Sequence, residues 1–549
     1  MLMYKQKYKV VKSAFYKKNQ KRHSTNQNQK TNMSKEDVFI GAIDQGTSST
    51  RFIIYDGSAK PIGSHQVEFT QFYPQAGWVE HDPMEIVESV KVCVTKAMDK
   101  ATADGFNVDK SLKAIGLTNQ RETTLVWSKS TGAPLYNAIV WMDTRTAAIC
   151  SRLEKELSGG KSHFSESCGL PISSYFSALK FLWLVENVDA VKETIKKKDA
   201  LFGTIDTWLI WQLTGGLKGG LHVTDVSNAS RTMLMNLKTL DWDESTLTEL
   251  GIPAEILPKI VSNAEVIGNV AAGWPFAGVP IAGCLGDQHA AMLGQACSRG
   301  EAKCTYGTGA FILMNTGDEI VKSTHGLLTT VAFKLGKEAK TSYALEGSVP
   351  IAGAAVQWLR DNAGLISSSE EIEKLASQVE STQGVCFVPA FSGLFAPWWR
   401  EDARGVCIGI TSFTKKAHIA RAVLESIAFQ VKDVLDSMQK DTGKVESNEF
   451  LLRADGGATV NNLLMQIQAD LTGNPVLRPT DIETTARGAA FAAGLAVGVF
   501  KQDFIFDSND KMKNGIVFRP VMTEEARTKK VESWCKAVTR SYDLADLAH

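Results

Sequence analysis

Short apolar runs separated by polar turns recur along the chain, and the first pair, near residue 40, encloses a distinctive turn. Residues 39–43 and 51–55 are apolar runs of the strand type, with the polar stretch 44–50 between them. We predict a β-hairpin whose turn presents hydroxyl and N–H donors in succession, an arrangement that suits phosphate oxygens. These donors belong to Thr47, Ser48 and Ser49.

Two charged side chains flank this turn. Asp44 stands where the first predicted strand ends, and a carboxylate there could hold Mg²⁺, an ion usually kept by one or two carboxylates plus substrate phosphates. Arg51 opens the second strand and could reach a phosphate as a planar fork. An ordinary β-hairpin with a polar turn explains the stretch equally well, so the hairpin alone decides nothing.

A strand, a glycine-rich turn and a second strand are predicted again at residues 303–315, around Gly307-Thr308-Gly309. The repeat is one of architecture rather than of close sequence. Two such hairpins that face each other across a cleft could hold a nucleoside triphosphate between two domains. The second hairpin therefore favours phosphate binding over the ordinary interpretation.

Residues 114–118 predict a buried strand that leads directly into Arg121 and Glu122. In open α/β sheets, ligands bind beyond the carboxyl ends of the strands. Arg can donate to a hydroxyl oxygen and Glu can accept from a hydroxyl hydrogen, so the pair could hold the vicinal hydroxyls of a polyol. A plain surface ion pair is the usual explanation of adjacent charges, and the sequence leaves it open.

Asp287 follows the apolar run 279–286 and so occupies a second strand end. A carboxylate there can take the proton of a substrate hydroxyl while that hydroxyl attacks phosphorus. Capping of the following helix is the alternative role, and one residue can fill both. Tyr175, near a polyol, could donate a hydrogen bond; otherwise it is a core aromatic.

Composition bounds the class of protein. The 549 residues, 44% hydrophobic and 22% charged, are typical of a globular protein with two sizeable domains. Residues 1–35 hold ten Lys or Arg and no acidic residue, which predicts a basic disordered extension over 1–37. A mitochondrial presequence would be richer in Arg and amphipathic. The remaining chain is acidic, which argues against nucleic acid as a partner.

Membrane and disulfide signals are lacking in the sequence. No stretch approaches the roughly 20 apolar residues of a membrane span. The nine Cys are scattered without a Cys-x-x-Cys pair, which indicates free thiols in a reducing compartment. We therefore expect a cytoplasmic protein, with mitochondrial association as the alternative. A P-loop is excluded because no Gly-x-x-x-x-Gly-Lys-Ser/Thr stretch occurs.

With these motifs in hand, the sequence resembles the FGGY family of carbohydrate kinases over roughly residues 38–540. The stretch Asn-Gln-Arg-Glu-Thr-Thr at 119–124 is the most specific, because it separates members that phosphorylate glycerol from pentulose kinases of the same fold. The other stretches that carry the resemblance are 42–47, 77–83, 286–288, 305–309, 345–347 and 455–457.

The resemblance implies an α/β fold with two actin/hexokinase-like (ribonuclease H-like) domains, whose mixed sheets surround a central ATP cleft. It divides the chain into the extension 1–37, an N-terminal domain 38–294 and a C-terminal domain 295–549. It also implies MgATP-dependent phosphorylation of glycerol to sn-glycerol 3-phosphate by a homo-oligomer, a dimer or a tetramer. The alternatives are a kinase for another small polyol or ketose, and a non-catalytic actin-like nucleotide-binding protein.

Site residues follow from the resemblance by position. Asp287 is expected to act as the general base, and Asp44 to position Mg²⁺. The expected glycerol-binding residues are Arg121, Glu122, Tyr175, Asp287 and Gln288. The expected ATP- or ADP-binding residues are Thr47, Ser48, Ser49, Arg51, Thr308, Gly353, Gln357, Gly457 and Asn461. His289 departs from the family pattern, in which Gln is common.

Overall fold

The computed structural model describes residues 38–391, 393–443, 450–507 and 515–547. The predicted basic extension, residues 1–37, lies outside the described residues. In the first half of the chain the strands are β1 (Phe39–Gln45), β2 (Ser49–Asp56), β3 (Pro61–Glu68), β4 (Glu80–His81), β5 (Leu112–Asn119), β6 (Thr124–Ser128), β7 (Ala138–Ile139), β8 (Ala200–Thr204), β9 (Val223–Asp225), β10 (Met235–Asn236), β11 (Asp241–Trp242), β12 (Lys259–Val261), β13 (Ala264–Asn269) and β14 (Pro280–Gly286). In the second half they are β15 (Ala302–Tyr306), β16 (Ala310–Gly317), β17 (Leu328–Lys334), β18 (Thr341–Val349), β19 (Cys386–Val388), β20 (Val406–Ile408), β21 (Leu452–Asp455), β22 (Val476–Pro479) and β23 (Gly515–Phe518).

The helices alternate with these strands. In chain order they are α1 (Pro83–Ala103), α2 (Val108–Ser111), α3 (Ala147–Glu156), α4 (Ser165–Cys168), α5 (Ser177–Asn187), α6 (Asp189–Lys196), α7 (Ile205–Leu213), α8 (Val226–Ala229), α9 (Glu244–Leu250), α10 (Asp287–Gly294), α11 (Gly353–Asp361), α12 (Glu371–Ala376), α13 (Lys416–Thr442), α14 (Asn462–Thr472), α15 (Thr484–Ala496), α16 (Gln502–Ile505) and α17 (Glu524–Thr539). Among these described helices, none is both long and apolar enough to cross a lipid bilayer.

The first large sheet has the strand order β13-β14-β5-β1-β2-β3. Its strands β1 and β2 form the predicted hairpin, with Asp44 opposite Arg51 beside the turn, and β3 extends it to an antiparallel meander. Strands β5 and β14 run parallel to β1, so the carboxyl ends of all three meet at one edge of the sheet. That edge carries Asp44, the stretch after Asn119, and Asp287.

The second large sheet has the order β17-β18-β16-β15-β21-β22-β23. Strands β15 and β16 form the predicted second hairpin, and β21 runs parallel to β15. Helix α13 packs against β16 and β18 through a buried stripe that includes Val423, Ile427 and Val431. The two mixed sheets with their helices confirm the predicted α/β architecture of two domains.

Helix α15 joins the two halves of the chain. It follows the second sheet in sequence, yet it packs against β1, β5 and β14 of the first sheet and against α10. Its buried residues are mostly Ala and Gly, which allow helix and strand backbones to approach closely. The apolar run 489–500, rich in Ala and Gly, predicts a buried helix packed closely on its neighbours, and the structure has this helix over Thr484–Ala496.

Two local sequence patterns predict other elements than the structure has. The polar Ser/Asn stretch 224–232 is typical of a loop, but it contributes to β9 and forms α8, because β9 pairs with β12 and Asp225 caps α8. The stretch 137–145 predicts a buried strand that runs into a polar turn, but only Ala138–Ile139 pair, as β7. In both stretches, pairing with strands that are distant in sequence determines which residues form regular structure.

Candidate active site

Arg121 and Glu122 form the core of the site, and they are buried rather than solvated. They are 3% and 1% exposed. The Nη1 and Nη2 groups of Arg121 donate to the two carboxylate oxygens of Glu346, at 2.6 and 2.8 Å. Glu346 belongs to β18 of the second sheet, so this pair connects the two domains. The alternative of a plain surface ion pair is therefore wrong.

Arg231 completes a buried network of four charges. Its Nε donates to Glu122 Oε1 at 2.6 Å, and its Nη2 donates to Glu346 Oε1 at 3.2 Å. Burial alone would raise the pKa of Glu346, but Arg121 and Arg231 outweigh it and hold that pKa well below its usual range. Burial raises the pKa of Glu122, against the lowering by Arg121 and Arg231. We call these two guanidinium groups and two carboxylates, which pair with one another, the charge clamp.

The backbone at the charge clamp is strained. Glu122 has φ +58°, a left-handed conformation that non-glycine residues rarely adopt. The N–H of Thr123 donates to the carbonyl of Arg121 at 2.7 Å, which closes a tight turn around Glu122. Such strain costs of order 1–3 kcal/mol and tends to occur at functional sites. The turn directs two successive charged side chains into one buried space.

Asp287 lies beside the charge clamp at the end of β14. Its Oδ1 is 3.3 Å from Arg121 Nε, and its side chain remains 26% exposed. Burial raises the pKa of Asp287, while the charges of Arg121 and Lys303 oppose the rise. Besides this ion pair, among the described residues its carboxylate accepts one hydrogen bond, from the N–H of Gln288 at 2.7 Å, and Gly286 holds the N-cap position of α10. The structure thus gives no support to helix capping as its role.

Gly286 allows this close approach. A Cβ atom at Gly286 would lie 2.7 Å from Arg121 Cγ, well inside van der Waals contact. Only glycine lets β14 end directly against the Arg121 side chain. The residue before Asp287 is therefore fixed by the packing of the charge clamp.

Tyr175 also lies at the charge clamp. Its hydroxyl accepts from Arg121 Nη2 at 3.3 Å, and the Arg231 guanidinium lies 5.6 Å from the centre of its ring. The ammonium of Lys180 donates to the carbonyl of Tyr175 at 2.7 Å and so fixes its backbone. The ring is half-buried and contacts Trp141, with ring centres 5.7 Å apart.

Trp141 connects the first hairpin to the second domain. Its Nε1 donates to Thr47 Oγ1 at 2.9 Å, and its ring centre is 5.7 Å from that of Phe311 on β16. The turn of the first hairpin is thereby held near β16 of the second hairpin. Trp141 was not predicted as a site residue.

The first hairpin also carries Asp44 and Arg51. Burial and the charge of Asp287 raise the pKa of Asp44, against the lowering by Arg51, to about 6. Arg51 pairs with Glu483 and donates to Gln66 Oε1 at 2.9 Å. Both residues lie on the strand pair that leads to the turn.

Ser48 and Ser49 lie in the same turn. Ser49 Oγ accepts from Gln66 Nε2 at 2.9 Å, and Ser48 is exposed.

A cavity of about 490 Å³ lies on the second domain. Apolar side chains, among them Val356, Leu424 and Ile427, line part of it and suit a flat aromatic base. The predicted nucleotide residues that line this cavity are Thr308, Gly353, Gln357, Gly457 and Asn461. Thr47, Ser48, Ser49 and Arg51 are not among its lining residues, since they belong to the opposite hairpin.

The second hairpin is tied to the helix beside this cavity. The N–H of Gly353, the first residue of α11, donates to the carbonyl of Gly307 at 3.0 Å. A Cβ atom at Gly353 would lie 2.5 Å from that carbonyl oxygen, so the contact requires glycine. The helix start therefore lies directly against the hairpin turn.

Sequence reasoning missed several residues of this site. Glu346 and Lys303 are isolated charges inside apolar strands. A charged residue in such a strand is a signal of a buried functional side chain, and this signal could have identified both. Arg231 follows α8, in a stretch that was predicted to be a loop, and nothing local distinguishes it. His289 is buried, and burial together with the charge of Arg121 lowers its pKa well below its usual range. A Cβ atom at Gly286 would lie close to both Arg121 and His289, so this departure from the family pattern lies beside the charge clamp.

Comparisons with known proteins show the family of the chain. Residues 39–294 match the N-terminal domain of the FGGY family of carbohydrate kinases, and residues 302–497 match its C-terminal domain. A glycerol kinase of Arabidopsis thaliana is 75% identical over 521 residues, covering 94% of this chain and 100% of that protein. A glycerol kinase of Brucella anthropi is 55% identical, covering 92% of this chain and 98% of its own.

The solved structures lead to the same family. The crystal structure of Plasmodium falciparum glycerol kinase with ADP superposes with a TM-score of 0.84 at 40% identity, covering 92% of this chain and 98% of that chain. A xylulose kinase of Lactobacillus acidophilus shares the fold at 24% identity, with a TM-score of 0.77 over 92% of this chain and 99% of its own. The chain belongs to the FGGY family of carbohydrate kinases.

Proposed function

We propose that this chain transfers the γ-phosphoryl group of ATP to glycerol, giving sn-glycerol 3-phosphate and ADP. The observation that carries the proposal is the position of Asp287. Its partly exposed carboxylate lies 3.3 Å from Arg121 Nε, beside the buried charge clamp. The relatives named as glycerol kinases support the choice of glycerol, because they are similar over nearly the whole chain.

The mechanism assigns the polyol to the charge clamp and its neighbours. Arg121 donates to hydroxyl oxygens, and Glu122 accepts from hydroxyl hydrogens. Tyr175 and Gln288 bind the same substrate from two other sides. Because these contacts hold the attacking hydroxyl in a fixed orientation, its reaction with ATP becomes effectively unimolecular. This positioning accounts for much of the rate enhancement.

Asp287 accepts the proton of the terminal hydroxyl as that oxygen attacks phosphorus. A general base of this kind contributes typically about 10²–10⁴ in rate. Bound ATP supplies the electrophilic phosphorus for in-line transfer. The turns of the two hairpins would hold the triphosphate, and the cavity beside Gly353 and Gln357 would hold the nucleoside.

Asp44 fits a Mg²⁺ role. It is a half-buried carboxylate whose pKa is raised to about 6 even though Arg51 is near, so an added cation would stabilise its ionised form. One carboxylate plus phosphate oxygens is a usual donor set for Mg²⁺. The ion would neutralise charge on the phosphates beside Asp44.

Two alternatives remain testable. A kinase for another small polyol or ketose would use the same fold, but the pair Arg121–Glu122 favours vicinal hydroxyls of a short polyol. A non-catalytic nucleotide-binding protein would have no need of Asp287 beside a charge clamp. Both alternatives are therefore less favoured than glycerol phosphorylation.

A coupled ADP-release assay tests the proposal. We would assay the full chain with MgATP and with glycerol, dihydroxyacetone, a pentulose and gluconate. We expect glycerol to give the highest kcat/KM and Arg121→Ala to raise the glycerol KM without changing the ATP KM. The variant Glu525→Gln, which alters only an exposed pair with Lys529, is the control. No glycerol-dependent ADP release would refute the proposal.

Other expectations stay predictions. They are the homo-oligomeric state, the cytoplasmic location and the exact domain limits of 38–294 and 295–549. Size-exclusion chromatography with light scattering, fractionation of cells and limited proteolysis would test them in turn.

A further inference from the structure

Lys303 is a buried cation that the mechanism above does not use. It lies on β15 of the second hairpin, and it has no solvent exposure. Burying an ammonium group is costly unless its hydrogen bonds and charge are compensated. A lysine in this position, four residues before the turn at Gly307, therefore calls for a specific role.

The ammonium of Lys303 makes two side-chain hydrogen bonds. It donates to Oε1 of Gln288 and to Oγ1 of Thr305, the latter at 2.9 Å. Among the residues that the structure describes, no carboxylate forms an ion pair with it. The charges of Asp455 and Asp287 act on it from further away, while burial lowers its pKa.

The polarity of the bond to Gln288 is determined by chemistry. An ammonium group has three donors and no acceptor, so Gln288 must present its oxygen to Lys303. The amide nitrogen of Gln288 is then fixed on the other side of the group. In the described part of the chain, that nitrogen donates to no protein atom.

Gln288 and Asp287 are the first two residues of α10, and in the proposed function both bind the polyol. Asp287 accepts a proton, and an oriented Gln288 amide donates. A glutamine without a fixed partner could present either the oxygen or the NH₂ group of its amide to the substrate, so it would act as acceptor or as donor. Orientation of the amide therefore decides whether the site holds a hydroxyl by its oxygen or by its hydrogen.

We propose that Lys303 is a positioning residue that fixes the amide of Gln288, so that its NH₂ group donates to a hydroxyl oxygen of the substrate polyol. The inference rests on the proposed function, since it deepens the assignment of that same site. It links the second hairpin, which would hold the triphosphate, to the residue that binds the polyol.

A double-mutant cycle tests the proposal with the full chain. The variants are Lys303→Met, Gln288→Leu and the double variant, and the measurements are kcat and the KM values for glycerol and ATP. We expect each single variant to raise the glycerol KM about tenfold, the equivalent of one lost hydrogen bond, and to leave the ATP KM within about twofold. The double variant should match Gln288→Leu within about twofold, because Lys303 acts through Gln288.

Several results would overturn the proposal. These are a glycerol KM unchanged in Lys303→Met, effects that multiply in the double variant, or an ATP KM that rises as much as the glycerol KM. Lys432→Met is the control: this lysine pairs with Asp436 on α13, far along the chain from the site, and the substitution should leave both KM values within about twofold.

Gln288→Glu keeps the test decisive if Lys303→Met fails to fold. This variant retains an oxygen partner for Lys303, replaces the NH₂ donor by an oxygen and adds a negative charge beside the ammonium group. We expect a folded protein, by thermal unfolding, with a glycerol KM raised about tenfold or more. A normal glycerol KM would overturn the donor role of Gln288. Absence of glycerol-dependent ADP release from the unsubstituted chain would instead refute the proposed function itself.

Discussion

Arg121 and Glu346 form an ion pair across the two domains through two hydrogen bonds, with N–O distances of 2.6 and 2.8 Å and a sequence separation of 225 positions. Arg121 extends from the end of β5, and Glu346 extends from β18. The residue expected to hold the polyol is thus oriented by the domain expected to hold the nucleotide. The substrate site depends on both domains.

Substitution of Glu346 should disrupt this site. Glu346→Gln leaves Arg121 and Arg231 with one buried carboxylate, and breaking a buried pair typically costs about 3–5 kcal/mol. We expect a loss of that order in the free energy of unfolding and a glycerol KM raised at least about tenfold. Urea unfolding and steady-state kinetics measure the two effects.

The exposed pair of Glu525 with Lys529 supplies the control for Glu346. Glu525→Gln should change the free energy of unfolding by less than about 1 kcal/mol, since exposed pairs contribute little. If Glu346→Gln proved as stable and as active as Glu525→Gln, the charge clamp would have no role.

The contact between Gly353 and the second hairpin should matter for ATP. In Gly353→Ala the new Cβ would lie 2.5 Å from the carbonyl oxygen of Gly307, so either the hairpin turn or the helix start must shift. We expect the ATP KM to rise about tenfold, roughly 1.4 kcal/mol, with the glycerol KM little changed.

Gly57→Ala is a matched glycine substitution, because the nearest heavy atom to its Cβ would be 4.0 Å away. It should leave both KM values unchanged. Equal ATP KM values in the Gly353 and Gly57 variants would show that the geometry at Gly353 is unimportant for nucleotide binding.

Stability should depend on pH through His81. This buried imidazole packs edge-on against Phe69 and bonds to Gln71, and burial lowers its pKa from 6.5 to about 4. The unfolded chain therefore binds the proton more readily between these values. The contribution is fully present above pH 6.5 and is lost as the pH falls toward 4, at most about 3 kcal/mol.

Unfolding midpoints of the full chain and of His81→Gln, measured from pH 7.5 to 4.5, check this prediction. We expect the variant to lose less stability over the range than the unsubstituted chain. Parallel pH curves would exclude His81 as a source of acid lability.

The strand ends could be predicted because local pattern determines them. Apolar runs locate β1, β5 and β14, and a parallel arrangement places Asp44, Arg121 and Asp287 at one edge. The same reasoning could not distinguish a surface pair from a buried one at Arg121–Glu122. Adjacent charges look alike in sequence, and their burial depends on the other domain.

The partners of Arg121 and Glu122 could not be predicted for the same physical reason, because they come from distant parts of the sequence. Glu346 is 225 positions from Arg121, and Arg231 is 109 positions from Glu122. No periodicity within an element encodes such contacts. Their buried geometry, with two carboxylates between two guanidinium groups, becomes visible only when the two domains are assembled.

Turnover of glycerol by Asp287→Asn, measured together with nucleotide affinity by calorimetry, tests the central claim most directly. The substitution keeps the size of the side chain and removes its ability to take a proton. The account predicts that kcat falls by about 10²–10⁴ while the affinity for ADP stays within about twofold of the unsubstituted chain. A kcat within about threefold of the unsubstituted chain would contradict it.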